Sequence, residues 1–397
     1  MSESECSTWA ALAQEWPDPR ARRGRRYAWA TLLVLVAAAV ASGQRTAAAM
    51  AQWVSEHAPE WQPWLPSTAG RVPSAATVRR VLRQVDVQEV EQRVGWWVTG
   101  HPQVRATAAC HKEPGHAQRQ ARRPRLQAVA ADGKTLCGAR ARGASGAHLV
   151  SLVTHQRAQV LAQAAVDNKS NEIPALRALL RGRDLTGWLV TADAMHAQQE
   201  TAQLIVSQGG HYLLVVKENQ PDRYAALVEW FAEPAWREEQ EQTVTTRGTG
   251  HGRVERRTLT RRVLAAREAL EWPAARQGLR RECWARERCS GHLRHAVTYA
   301  VTSLPPERAA ARMLERYWRG HWTIENQVHY VRDVTFGEDA NQTYIGTAPQ
   351  VLAALRNGVL SRLRHDGWTN LAAALRHLGA SVAAVLTFLG CSPPLPD

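Results

Sequence analysis

Where apolar residues recur along the chain, and at what period, divides it into a helical stretch, a mixed stretch and a strand-rich stretch. Residues 20–43, RARRGRRYAWATLLVLVAAAVASG, set a basic cluster before an apolar run. Two readings stand: a signal peptide or membrane anchor, and a buried core helix. The run over 28–41 is short for a bilayer, and an acidic, amphipathic lead of about twenty residues precedes the cluster, so the core helix is favoured. Further helical patterns cover 45–57 and 74–97. Ser74 follows Pro73 as an N-cap candidate, and the register puts Val78, Leu82 and Val85 on one face and Arg79, Arg80 and Arg83 on the others. A recognition helix of a helix-turn-helix-like unit and a helix that merely packs, with its arginines in water, both fit. From 100 to 124 the chain is polar, basic and proline-containing, which predicts a linker and a domain boundary.

Beyond it the period changes. Runs at 126–131, 148–155 and 159–166 have strand length, 171–181 reads as a helix, 187–192 as a buried strand, 198–208 as a helix, and HYLLVVK at 211–217 as another buried strand. This succession predicts a mixed α/β unit compatible with a ribonuclease H-like fold. Residues 229–303 alternate or are β-branched between glycine-rich turns, as a β-rich insertion would be. Helices return from 306 to the end. The expected layout is a helical N-terminal domain over 1–105 associated with DNA binding, a basic linker over 106–125, and the first part of the catalytic core over 126–228. The insertion over 229–305 precedes the last acidic residue, and a helical C-terminal part over 306–397 carries that residue.

A chain of 397 residues is long enough for two or three domains. Its 50 Lys+Arg against 36 Asp+Glu give a formal charge of +14, which points to a polyanionic partner, although a coding bias toward Arg and Ala gives the same total. Six cysteines are too sparse for a disulfide framework and suggest a reducing compartment. Cys283, Cys289, His292 and His295 lie close together, but their gaps match no common zinc spacing.

Candidate chemistry gathers in residues 317–339, YWRGHWTIENQVHYVRDVTFGED. A 3.6-residue period puts His321, Glu325, Val328 and Arg332 on one stripe, beside an apolar stripe of Tyr317, Ile324, Val328 and Val331. Alone, a helical glutamate signifies little. Asp132 and Asp193, however, each sit at or near the end of a predicted core strand, where a side chain can leave the sheet rim from a fixed backbone. Three carboxylates brought together repel unless a cation intervenes, and magnesium, a hard oxygen-seeking ion, resolves that conflict.

The segments PDPRARRGRRY, PSAATVRRVL, ADGKTL, NEIPALRALL, VTADAMHAQQETAQLIVSQGGHYLLVVKENQP, GHGRVERR, RGHWTIENQVHYVRDVTFGEDANQ and APQVLAALRN resemble, in order and spacing, insertion-sequence transposases of the H-repeat-associated type. These are a branch of the DDE transposases, related to a wider class with a Tyr, Arg, Glu and Lys signature around the last acid. The resemblance spans roughly residues 12 to 390. It implies Asp132, Asp193 and Glu325 as catalytic acids and metal ligands, two Mg2+ ions with Mn2+ as a substitute, and double-stranded DNA, both element ends and target, as partner. It also implies a homodimer or higher homo-oligomer on DNA, no membrane, and a cytoplasmic, nucleoid-associated location.

The wider signature falls here on Trp318, His321, Glu325 and Arg332, so an aromatic, a base, the acid and a cation are kept. His321 and Arg332 are expected on DNA phosphates, with Arg319 a geometric substitute for His321. Lys134, Lys217, Arg79 and Arg80 are the further DNA-binding candidates, and Asn219 joins Lys217 in VVKENQ; a lysine that snorkels from a strand end is the plain alternative. Asn326, His329 and His196 are expected to support the acids from behind. Cys137 stands where the family often has arginine. Besides a transposase, two further functions stay open: a catalytically inactive or domesticated DNA-binding protein, and a metal-dependent nuclease.

Overall fold

The computed structural model describes residues 8–391 except 24, 66–70, 101–125, 140–145, 167–171, 235–240, 251 and 265–271. The basic linker expected over 106–125 lies outside the described residues. Six helices come first: α1 Trp9–Gln14, α2 Trp29–Ala41, α3 Ala47–Glu56, α4 Ala58–Trp61, α5 Ala75–Gln84 and α6 Val87–Thr99. The helix expected over 74–97 is two helices. Val85 is extended, and Asp86 starts α6 by accepting a hydrogen bond from the Glu89 amide at 2.9 Å, a cap strong enough to restart the ladder. Ser74 caps α5 through the Thr77 amide.

Among the described residues nine strands form one sheet in the order β3-β2-β1-β4-β5-β9-β8-β7-β6. They are β1 Gln127–Thr135, β2 His148–Thr154, β3 Val160–Val166, β4 Trp188–Ala192, β5 His211–Val216, β6 Glu241–Gly250, β7 Arg253–Val263, β8 Gln277–Glu287 and β9 Leu293–Thr302. β1 runs antiparallel to β2 and β2 to β3, whereas β1–β4 and β4–β5 are parallel. β2 is buried at all seven positions because both of its faces are covered, which is why its sequence is a continuous apolar run. The strand-rich stretch does not make a sheet of its own. β9 pairs antiparallel with β5, so β6–β9 prolong the central sheet.

Between strands lie α7 Glu172–Leu180, α8 Gln199–Ser207 and α9 Pro221–Ala232, and after β9 come α10 Ala311–Gly320, α11 Ala348–His365, α12 Leu371–Gly379 and α13 Val382–Leu389. The first six helices do not close a core by themselves. They share one apolar cluster with α11–α13, joined by contacts such as Trp97 against Phe388 and the Trp53 indole donating to the Gly379 carbonyl. Within it α2 is buried from Leu32 to Ala41, which explains its unbroken apolar sequence without a bilayer. Among the described residues no single helix is long and apolar enough to cross a membrane. The α12–α13 pair would pass by composition but is bent by 116°, and its apolar faces lie in the same cluster.

Candidate active site

Strand alternation decides which way the first two acids face. Val129 and Ala131 of β1, with Val190 and Ala192 of β4, pack into the apolar layer on one side of the sheet. Ala128, Ala130 and Leu189 pack on the other. Asp132 and Asp193 therefore fall on the second side. The parallel register pairs Ala131 with Ala192, so the two acids are the next residues on neighbouring strands, about 5 Å apart at the backbone by ordinary strand spacing. β1 itself continues to Thr135, so Asp132 lies inside a strand rather than at its end, opposite Ser151. Asp193 leaves β4 in extended conformation and opens a short turn ending at His196.

Glu325 arrives from above on an unusual winding. Residues 324–329 and 331–335 are π-helical, closed by bonds such as Phe336 N–H to Val331 O. A π turn holds one more residue than an α turn, so the 3.6-period stripe does not survive. Ile324, Val328 and Arg332 turn inward, while Glu325 and Asn326 are exposed. Ile324 and Val328 share the apolar cluster with Ala130 of β1, and Glu325 is near enough to Asp132 and Asp193 for their charges to act on one another.

Electrostatics ties the three together. Burial pushes the Asp132 carboxyl up to about 7, and the negative charges of Glu325, Asp193 and Glu172 add to the rise against a stabilising bond from the Gly133 amide. Glu325 is raised by partial burial and by Asp193. Among the described residues no three His, Cys, Asp or Glu side chains converge closely enough to make a ready metal cage. The donor set is nevertheless all oxygen, mutually repelling and open on its outer side. That suits an ion held by one or two carboxylates and completed by water and phosphate oxygens. An open site also suits a polymer, whereas a cavity of about 1200 Å3 between α5, α6 and β3 lies elsewhere.

Several residues expected on DNA are engaged inside the protein. Arg332 is fully buried and forks onto Glu338, with Nε and Nη2 at 2.8 and 2.7 Å from Oε2. Its Nη1 also donates to Gln163 at 3.2 Å. Arg356 holds the other oxygen of Glu338 at 2.8 Å. Glu338 is kept ionised, below its usual range, because the two guanidiniums outweigh its burial. A side chain so enclosed cannot reach a phosphate, so the expectation for Arg332 is corrected: it clamps the π segment to β3 and α11. Lys134 is likewise buried and lies 2.6 and 2.7 Å from the Asp333 oxygens, joining β1 to the same segment. His321 is buried, with Nδ1 3.1 Å from the Thr191 hydroxyl, which also meets His155 Nε2 at 2.9 Å. A hydroxyl has one proton, so at least one of these imidazoles donates to it. Burial lowers His321, partly offset by Asp193, and takes His155 down to about 3, which keeps both rings neutral. The chain approaches His155 this closely only because residue 320 is glycine; a Cβ there would stand 2.3 Å from His155 Nδ1.

His329 and His196 lie near different carboxylates. His329 Nδ1 is 3.7 Å from Asp132 Oδ2, too long for a hydrogen bond, and burial with Arg332 and Lys134 nearby lowers it to about 3. His196 reaches Glu172, with Nε2 3.5 Å from one oxygen, while His148 Nε2 is 2.6 Å from the other. This buried Glu172 was not singled out from sequence. It opens α7 on the far side of β1, directly beneath Gly133, where a Cβ would be 2.5 Å from its Oε2. It thereby joins β2 to the turn after Asp193. The only sequence signal for it was the segment NEIPALRALL, which shows no contact. Arg319, Lys217, Arg79 and Arg80 are exposed. Asn219 donates to the Ala194 carbonyl at 2.7 Å and so braces the Asp193 turn, and Lys217 borders a cavity of about 720 Å3 beside it.

Comparison with known proteins follows the same division. The family described as Transposase DDE domain matches residues 115–360, and a DDE_Tnp_1-associated family matches residues 11–98. The chain belongs to the DDE transposases and, within them, to the H-repeat-associated type. It is 32% identical over 244 residues to "Putative transposase YncI" of Escherichia coli O157:H7, covering 59% of this chain and 61% of that protein. It is 29% identical over 248 residues to "H repeat-associated putative transposase YhhI" of Escherichia coli K12, covering 60% and 64%. The alignments thus span less than two thirds of those relatives. A cryo-EM piggyBac transposase synaptic complex with hairpin DNA aligns over 98% of this chain and 78% of its own at 9% identity, with a TM-score of 0.41, too low to carry an argument. DDE transposases generally use divalent metal ions.

Proposed function

We propose that this chain binds the terminal inverted repeats of an insertion sequence and catalyses metal-dependent strand cleavage followed by strand transfer. The observation that carries the reading is the side-by-side register of Asp132 and Asp193, with Glu325 near enough that, after burial, their mutual negative charge adds to the raised pKa of Asp132 and Glu325. The strand order β3-β2-β1-β4-β5, antiparallel for the first three and parallel for the last two, supports a ribonuclease H-like core.

In this reading Asp132, Asp193 and Glu325 hold two Mg2+ ions, for which Mn2+ substitutes. When bound, such ions acidify a water and neutralise charge building on the scissile phosphate and leaving 3' oxygen. The acids supply oxygen lone pairs once Asp132 is ionised. Glu172, His148 and His196 hold the strands beneath them in register, and the His321–Thr191–His155 chain fixes the start of the π segment. The products are a nicked end bearing a 3' hydroxyl and then a joined target strand, assembled by a homodimer or larger oligomer.

The test is cleavage of terminal-repeat DNA by Asp132→Ala, Asp193→Ala and Glu325→Ala. Cleavage is expected to vanish while binding persists; normal cutting by all three would overturn the assignment. Wild-type protein that cuts but never joins the 3' end to target would make it a nuclease instead.

A further inference from the structure

We propose that a recess between residues 19–27 and α5 seats the phosphate backbone of duplex DNA, and that Asp18 is the residue that builds it. The proposal rests on the DNA-binding reading above and adds where and how the duplex is held. The recess has a volume of about 480 Å3. Its lining includes Arg20, Arg23, Arg25 and Arg26 from the segment after α1 and Arg80 from α5, and no described carboxylate lines it. Asp18 compensates Arg20 and Arg25, so Arg23, Arg26 and Arg80 leave a net positive lining, and an anion in the concavity lowers the repulsion among them.

The arginines divide into builders and contacts. Arg20 is fixed from behind by Asp18, with Nε and Nη2 each 2.9 Å from one carboxylate oxygen, and by the Tyr27 carbonyl at 2.7 Å. It also lies over the Trp29 ring at 5.2 Å. Arg25 Nε is 3.3 Å from the same carboxylate and donates to the Ala21 carbonyl at 3.1 Å. These bonds hold Asp18, Arg20, Arg25 and Tyr27 together beside Trp29 at the start of α2. Arg23 and Arg26 are exposed and have no partner among the described residues, and Arg80 makes only a 3.4 Å bond to the Ala76 carbonyl. Those three are placed to take phosphate oxygens, which guanidinium groups bind in a two-pronged manner.

A lone phosphate would be served by two guanidiniums, whereas here the contacts come from two separate elements. The positive surface also continues past them, since Arg79 and Arg83 of α5 border a neighbouring recess with Tyr344 and Ile345. Charge extended in this way matches a backbone of repeating phosphates.

The experiment is duplex binding by the full chain, followed by fluorescence anisotropy with labelled terminal-repeat DNA across a salt series, with inorganic phosphate as competitor. The wild-type arm tests the DNA reading alone, since a chain that binds no duplex ends it. Given binding, Arg23→Ala/Arg26→Ala/Arg80→Ala should lower the slope of log affinity against log salt by about 2 to 3, at about 0.9 per lost phosphate contact. The corresponding triple lysine variant should keep most of that slope. Asp18→Asn is the sharper variant, because it makes the protein more positive. A diffuse basic surface would then bind DNA as tightly or more tightly, whereas a built recess binds several-fold more weakly. An unchanged slope in the alanine variant, tighter binding by Asp18→Asn, or displacement of duplex by millimolar phosphate would overturn the proposal. Melting curves identify a variant that fails to fold, and the lysine variant then carries the comparison.

Discussion

Two groups of charged side chains each take one member from the π segment, Arg332 in one and Glu325 in the other, and are treated in opposite ways. At Arg332, Glu338 and Arg356 the charges are enclosed, alternate in sign and are bonded at 2.7–2.8 Å. At Asp132, Asp193 and Glu325 they are of one sign and open to solvent on the outer side. Enclosed charges that satisfy one another fix a structure, because removing one strands the rest in a poor solvent. Like charges left unsatisfied store a cost that protonation or an incoming metal cation removes. The difference separates a clamp from the proposed site.

The largest effect should come from the site. Asp193→Asn or Glu325→Gln should lower cleavage by roughly 10³-fold or more, since several kcal/mol of stabilisation at the reacting phosphate are lost. Melting temperature should change little, and a large fall would place these residues with the clamp. At the clamp the order reverses. Arg332→Ala should destabilise the fold by about 3–5 kcal/mol in denaturant titrations, leaving Glu338 half paired. Replacing Arg332, Glu338 and Arg356 together by Met and Leu should recover much of that loss, which an essential DNA contact would not permit.

Glu172→Gln should lower activity about 10- to 100-fold, as removal of groups that orient metal ligands commonly does. Its stability should stay near wild type, because the amide still bridges His148 and His196. Activity equal to wild type would make Glu172 a mere core carboxylate.

The smallest effect is one of pH. The Asp132 carboxyl titrates near 3.8 unfolded and at about 7 folded, so between those values the folded state holds a proton that the unfolded chain releases. Stability therefore falls as pH rises through that window and levels off above it. Asp132→Asn should raise the melting temperature of metal-free protein at pH 8 by a few degrees, equivalent to about 1–2 kcal/mol, and leave it unchanged at pH 4. A rise of equal size at both pH values would remove charge repulsion as the cause.

The strands that carry Asp132 and Asp193 were legible because they are buried. The apolar runs up to Ala131 and Ala192 announce β1 and β4, although β1 continues past Asp132 to Thr135 instead of ending there. The core helix α2 was legible for the same reason, through an apolar run too short for a bilayer. The winding at Glu325 was not, since a 3.6-residue period presumes the α-helix that residues 324–335 abandon. Thus Arg332, put beside Glu325 on a stripe, turns inward instead. Its partners Gln163 and Asn357 are far away in sequence, and no local pattern encodes such a meeting. Glu172 escaped notice similarly, because its two histidines come from a strand edge and from the turn after Asp193. The continuity of β6–β9 with the central sheet was hidden too, as pairing between β5 and β9 is a long-range fact.

The most direct measurement is calorimetric titration of the DNA-free chain with Mn2+ at pH 8, where Asp132 is ionised. Wild-type protein should bind the ion, and Asp132→Asn, Asp193→Asn and Glu325→Gln should each lose at least one bound ion or weaken its affinity at least tenfold. Equal binding by wild type and all three variants would contradict the claim that these acids form one metal site.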